Sequence, residues 1–210
     1  MAGRQTTKTQ EAYEKLEHLI VFCKIQPGSI LTEIQIADMI GAGRTPTREA
    51  LRMLVKDHLV TISRAGVMIA EMSGNHQLKL LEVRRVILKL CVECAIERLT
   101  PKDKTKMQEI LQNVEHHNEA EFLSWLRYRH KVLADASKNQ FIYEHLKSLQ
   151  GLTYRFWYYY ATQEEQEQRK KLHSHIIVAI LEQNKTDALK AVSNLIDYLE
   201  NFVKNHSKPY

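Results

Sequence analysis

Arg44, Arg48, Arg52 and Lys56 recur every four residues in the stretch GAGRTPTREALRMLVKD, residues 41–57. Side chains spaced by four share one face of an α-helix, so these cations form a stripe. Ala50, Leu51, Leu54 and Val55 fall on other faces and are expected to pack inward. Such a helix has one side for a core and another for an anion. Between residues 44 and 64, five Lys or Arg (44, 48, 52, 56 and 64) face only Glu49 and Asp57, although the whole chain carries just +5. A local basic excess of this kind is the footprint of nucleic-acid binding. Arginine suits base reading because its planar fork can bond guanine O6 and N7 together. A solvated helix face would show the same charges, and what separates the two readings is the structure predicted on either side.

Those flanking elements are legible. Residues 9–24 carry Tyr13, Leu16, Leu19, Ile20 and Cys23 at helical spacing, and QPGS at 26–29 stops the run. A second helix starts near Thr32, whose hydroxyl can cap it, and runs to Gly41. A third begins at RTPT, with Thr45 as the expected cap and Pro46 at the first helical position. LVTIS and VMIAEM, separated by RAG, read as a hairpin turning at Gly66. Three helices and a small β-hairpin make a winged helix-turn-helix over residues 9–72. Six of the seven glycines precede residue 75, and the remainder, residues 77–206, reads as an all-α antiparallel bundle with helices at about 77–99, 102–116, 118–137, 140–161, 164–183 and 185–205.

At 210 residues and 24.5 kDa the chain can hold two small domains. No apolar run approaches the ~18 residues of a membrane span. MAGRQTTK is polar and unlike a signal peptide, so a cytoplasmic protein with a short flexible tail is expected. Cys23, Cys91 and Cys94 are too few for a disulfide framework. CVEC at 91–94 lies inside a helix and is read as core.

The stretch KIQPGSILTEIQIADMIGAGRTPTREALRMLVKDHLVTISRAGVMIA resembles the DNA-binding domain of GntR-type bacterial transcription regulators, a match spanning residues 10–71. LEVRRVI, HKVLADASKNQFI at 130–142 and HSHIIVAILEQNKTDALKAV at 173–192 resemble the FadR branch, whose effector domain is of the FCD type. The resemblance implies that Arg44 and Arg48 contact bases or phosphates, that Thr45 and Thr47 bond the same groups, and that Gly66 approaches the minor groove. Arg52 and Lys56 lie further down the helix, where backbone contact or plain solvation is expected, and Arg64 completes the expected DNA-binding set. Two positions depart from the pattern: Ile34 replaces an arginine that grips the backbone, and Gly43 replaces a serine.

Many members of this branch hold a divalent metal with one Asp and three His. His130 and His173 match two of these ligands, but Leu126 and Leu195 stand where the other two belong, so no cofactor is expected, a divalent metal held with substitute ligands being the alternative. Arg84 matches an arginine near the start of the effector domain and, with His130 and His173, is the expected ligand site for a carboxylate. Arg129 and Arg155 could border the same cavity, Arg129 being read as a surface residue, and Tyr154 or Tyr158 could offer a hydroxyl. His175 points away from His173.

These features lead to a ligand-responsive repressor that binds a palindromic operator in double-stranded DNA as a homodimer and responds to a small organic acid. Two alternatives stay open at this point. One is a DNA-binding regulator without an effector. The other is an enzyme with His130 or His173 as general base, which would need an acid beside the histidine, whereas the position four before His130 is Leu126.

Overall fold

The computed structural model describes residues 7–113 and 118–206. The polar N-terminal residues 1–6 and the last positions of the helix expected over 102–116 lie outside the described residues. In chain order the elements are α1 (Lys8–Val21), β1 (Ile30–Leu31), α2 (Glu33–Ile40), α3 (Arg44–Lys56), β2 (Val60–Ser63), β3 (Gly66–Ile69), α4 (Gly74–Glu97), α5 (Pro101–Gln112), α6 (Glu119–Ala136), α7 (Gln140–Tyr160), α8 (Gln163–Leu181) and α9 (Lys185–His206). No helix among the described residues is long and apolar enough to cross a membrane.

Local chemistry sets the helix ends. Thr7 caps α1 by accepting from the Gln10 amide. At α2, Thr32 and Gln35 form a reciprocal capping box, so Gln35 supplies the N3 partner that a search for glutamate misses. Helix α1 ends at Val21, earlier than expected, because Cys23 takes φ 50° and the Lys24 amide turns back to Leu19 O at 2.8 Å. Gly41, at φ 62°, ends α2 in the same way, with the Ala42 amide bonding Ala37 O at 3.0 Å.

The Cα packing divides the chain into two compact units. The first holds residues up to Met72 together with Gly151–Tyr159. Its core joins Leu16 and Ile20 of α1, Ile36 and Ile40 of α2, Leu51 and Leu54 of α3, and Val67 and Ile69 of β3. Val55, expected inside, is 39% exposed. The sheet is three-stranded and antiparallel, in the order β1-β3-β2. β1, which is absent from the predicted hairpin, pairs Ile30 with Met68 and Leu31 with Val67; two residues are too few to show an alternating pattern. Gly66 opens β3 at φ +128°, and a Cβ there would sit 2.7 Å from Leu31 O. The inward approach of β1 therefore demands glycine at this position.

The sequence reading placed all of 77–206 in one bundle, but Gly151–Tyr159 pack in the first unit. Leu152 lies against that unit's core, and a Cβ on Gly151 would stand 2.8 Å from Leu59 Cδ1. Helical periodicity identifies a buried face without saying which core buries it. The second unit holds Ser73–Gln150 and the residues from Tyr160 onward. In it α4 packs against α6, α8 and α9, and α5 against α6 and α8.

Candidate functional sites: a basic helix surface and a buried arginine–histidine cluster

Helix α3 begins two residues earlier than expected. Gly43 is its N-cap without a side-chain hydrogen bond, Arg44 is the first helical residue, and Thr45 is therefore inside the first turn instead of capping it. Arg44, Thr45, Arg48 and Arg52 are exposed on α3, and Arg64 is exposed in the β2–β3 turn. Arg44 and Arg48 line a cleft of about 300 Å³ with Thr32, Glu33 and Ile34. Arg48 Nε donates to Glu33 Oε2 at 2.6 Å. The bond fixes the direction of an otherwise flexible side chain, and the carboxylate raises the Arg48 pKa further. Arg52 pairs with Glu49 at 2.7 Å, one turn along the same helix.

Two expected contact residues are placed differently. Thr47 is 1% exposed and its hydroxyl donates to Gly43 O at 2.9 Å, so it anchors the start of α3 and presents nothing outward. Gly66 lies partly buried at the start of β3, behind the exposed Arg64 and Ala65 of the turn. Its requirement for glycine comes from Leu31. Ile34 is 60% exposed and lines the same cleft as Arg44 and Arg48.

In the second unit the structure brings Arg84, His130 and His173 together. Arg84 is 4% exposed and the two histidines 2% each. Arg84 Nη2 lies 3.0 Å from His130 Nε2. A guanidinium has no lone pair to accept with, so His130 Nε2 must be the acceptor and its proton sits on Nδ1. The His130 and His173 ring centres are 5.7 Å apart, edge to face. Burial drives both pKa values well below the usual histidine value. Arg84 and Arg129 push that of His130 further down, and Arg129, His130, Arg84 and Arg169 do so for His173. Both rings are neutral. His173 Nδ1 is buried and makes no hydrogen bond among the described residues.

Two more arginines belong to this cluster. Arg129, read from sequence as a surface residue, is 0% exposed, and its Nε donates to His173 O at 3.3 Å. Arg169 escaped the sequence reading altogether. It is 1% exposed, lies over the Phe122 ring at 4.7 Å, and its Nη2 reaches both Glu119 oxygens at 2.7 Å. The signal was available: Arg169 stands four residues before His173 and so shares its helix face.

Arg155, Tyr154 and Tyr158 belong to the first unit. Arg155 is fully buried next to Cys23; burial lowers its pKa and Cys23 opposes that shift. Cys91 and Cys94 are core residues, burial pushing the Cys91 thiol up to about 12. His175 is exposed and pairs with Asp187 at 2.9 Å.

The residues present do not fit a divalent metal. His130 Nε2 already accepts from Arg84, cations surround both rings, and Leu126 and Leu195 are buried hydrophobes. Among the described residues no three His, Cys, Asp or Glu side chains converge as ligands. Convergent guanidinium groups beside neutral imidazoles suit a carboxylate or another anion instead.

Two family models match the chain. Residues 8–68 match the bacterial regulatory proteins of the gntR family, and residues 79–198 match the FCD domain. The chain is 30% identical over 143 residues to the uncharacterized HTH-type transcriptional regulator YdhC of Bacillus subtilis, covering 65% of this chain and 62% of that protein. It is 29% identical over 119 residues to the HTH-type transcriptional regulator McbR of Escherichia coli, covering 55% and 53%. A third relative, the gluconate operon transcriptional repressor of Bacillus subtilis, is 29% identical over 114 residues, covering 52% and 46%. The chain thus spans about half to three-fifths of the length of these relatives. The solved structure of E. coli McbR/YncC shares the fold with TM-score 0.77 at 18% identity, covering 96% of this chain and 99% of that one. Lar of Listeria monocytogenes does so with TM-score 0.61 at 17% identity, covering 98% and 100%.

Proposed function

For a chain that belongs to the GntR family of bacterial transcriptional regulators and carries an FCD domain, we propose an operator-binding repressor whose DNA affinity is set by an organic acid held without a metal. The observation that carries the DNA half is the shared cleft of Arg44 and Arg48 on the exposed side of α3, with Glu33 fixing the Arg48 fork. The N-terminal part of such a helix enters the major groove. Arg44 and Arg48 then reach base edges, while Thr45, Arg52 and Arg64 contact the backbone. The regulator works as a homodimer on an inverted repeat, because a two-fold protein meets a two-fold operator. Repression is favoured over activation by the gluconate operon repressor among its relatives. The family's members are regulators and not enzymes, and a cytoplasmic location follows from access to DNA.

The effector half rests on Arg84, Arg129, His130 and His173. A carboxylate takes a two-point hydrogen bond from a guanidinium, and neutral His173 offers its unbonded Nδ1. For the ligand to alter DNA affinity it must prefer one state of the regulator, and the coupling is then reciprocal. Calorimetric titration with a panel of mono- and dicarboxylates tests this. A bound acid is expected to keep its affinity in the presence of a chelator and to lose at least about tenfold in Arg84→Met, the loss of one charge-assisted contact. Binding that vanishes with the chelator and returns with a divalent ion would contradict the metal-free site.

A further inference from the structure

Helix α4 buries one side against α6, α8 and α9 and leaves the opposite side open. That open side carries Val83, Val86 and Leu90, which are 50, 68 and 46% exposed. With Lys79 before them and Glu93 and Glu97 after, the stripe runs 79, 83, 86, 90, 93, 97, in steps of four, three, four, three and four. Such steps follow one line along a helix and are the seam that a second helix packs against. Three exposed aliphatic side chains on one line are an apolar strip at a place where solvent favours charge.

We propose that this face of α4 is the homodimer interface, with the α4 helices of two copies antiparallel across a two-fold axis near Val86. The inference rests on the dimeric part of the reading above and adds where and how the copies meet. Charge decides the occupant and the direction. A cation at one end of the apolar strip and acids at the other make the face complementary to a reversed copy of itself. In a parallel pair Lys79 would meet Lys79, and Glu93 would meet Glu93. In the antiparallel pair Val83 of one copy lies against Leu90 of the other, and Lys79 comes beside Glu93, twice by symmetry. Lys185 of the same chain flanks the acidic end, 3.1 Å from Glu93 and 3.7 Å from Glu97.

The test exploits that symmetry in the full-length chain. Lys79→Glu leaves Glu at both 79 and 93, and Glu93→Lys leaves Lys at both. Each variant is expected to dimerise at least about tenfold more weakly in sedimentation equilibrium, from like charges brought together. An equimolar mixture of the two is expected to recover a dimer, because every cross pair is then Glu against Lys, and native mass spectrometry should show the heterodimer exceeding both homodimers. Loss of the Lys185–Glu93 pair is the same before and after mixing, so it cannot produce the recovery. Val86→Glu, with unchanged helical circular dichroism, is expected to be monomeric. Variants that dimerise like wild type, or a mixture without heterodimer, would overturn the α4 interface while leaving dimerisation itself intact. A wild-type chain that stays monomeric with and without DNA would instead overturn the dimeric reading on which the inference rests.

Discussion

Arg48 donates through Nε to Glu33 Oε2 at 2.6 Å, which ties the exposed side of α3 to the start of α2. Both side chains are well exposed, 62% and 39%, so the pair adds little to stability and its value is geometric. Nε is committed to the carboxylate, and Arg48 also lines the cleft. Replacing Arg48 by Ala is expected to weaken specific DNA binding by about 1 to 3 kcal/mol with helical content unchanged. Replacing Glu33 by Gln is expected to raise non-specific affinity by removing a negative charge near phosphates, and to lower the ratio of specific to non-specific binding. Fluorescence anisotropy across a salt series separates the two, and an Arg48→Ala variant with unchanged specificity would remove Arg48 from the interface.

Acid should destabilise the second unit through its two buried histidines. Each is neutral in the folded chain with its pKa held well below the ordinary 6.5, chiefly by burial. Below about pH 6.5 the unfolded chain therefore binds more protons than the folded one. Stability is full above that pH and falls as pH drops, with a slope approaching about 1.4 kcal/mol per histidine per pH unit. Denaturant midpoints measured at pH 7.5 and 5.5 should fall in wild type and fall less in His130→Asn. Equal declines in both would mean that His130 is not the group excluded from protonation.

Arg169 and Glu119 form a pair that burial makes costly to break. Burial lowers the arginine pKa and raises that of the glutamate, and each is restored in part by the other. Arg169→Met leaves Glu119 mostly buried without its counter-ion and is expected to cost about 3 to 5 kcal/mol. Adding Glu119→Leu should recover much of that loss. A thermal scan of the single and double variants checks it, and a double variant no more stable than the single one would show that the cost lies in packing on Phe122.

Gly66→Ala probes the sheet of the first unit. The added methyl would meet Leu31 O, and the positive φ penalises any side chain there. A loss of about 1 to 3 kcal/mol is expected, confined to the transition of the first unit. An unaffected melting curve would mean that β1 moves aside at no cost.

How far the sequence carried this picture depends on what each signal encodes. The helices were visible because apolar spacing and glycine or proline punctuation act locally. β1 was not, since Ile30 and Leu31 are too short a strand to show a period and owe their conformation to Val67 and Met68. The basic face of α3 was legible to its individual arginines, but Thr47 was misread because the choice between its two exits, outward or back to Gly43 O, is made by packing. Arg84, His130 and His173 meet as the family resemblance implied. Arg129 and Arg169 run against the rule that arginine stays outside, and that conflict between residue type and burial supports the proposed ligand site. Arg155 shows the other limit: its helix face is plain in sequence, but the core that receives it is not.

The most direct test of the central claim is selection of double-stranded genomic fragments by the purified full-length chain, followed by sequencing and footprinting of what is retained. An inverted repeat with half-sites about one helical turn apart is expected. Arg44→Ala and Arg48→Ala should each fail to enrich it. Retention without sequence preference, or enrichment that survives loss of both arginines, would contradict a regulator that reads DNA through the exposed face of α3.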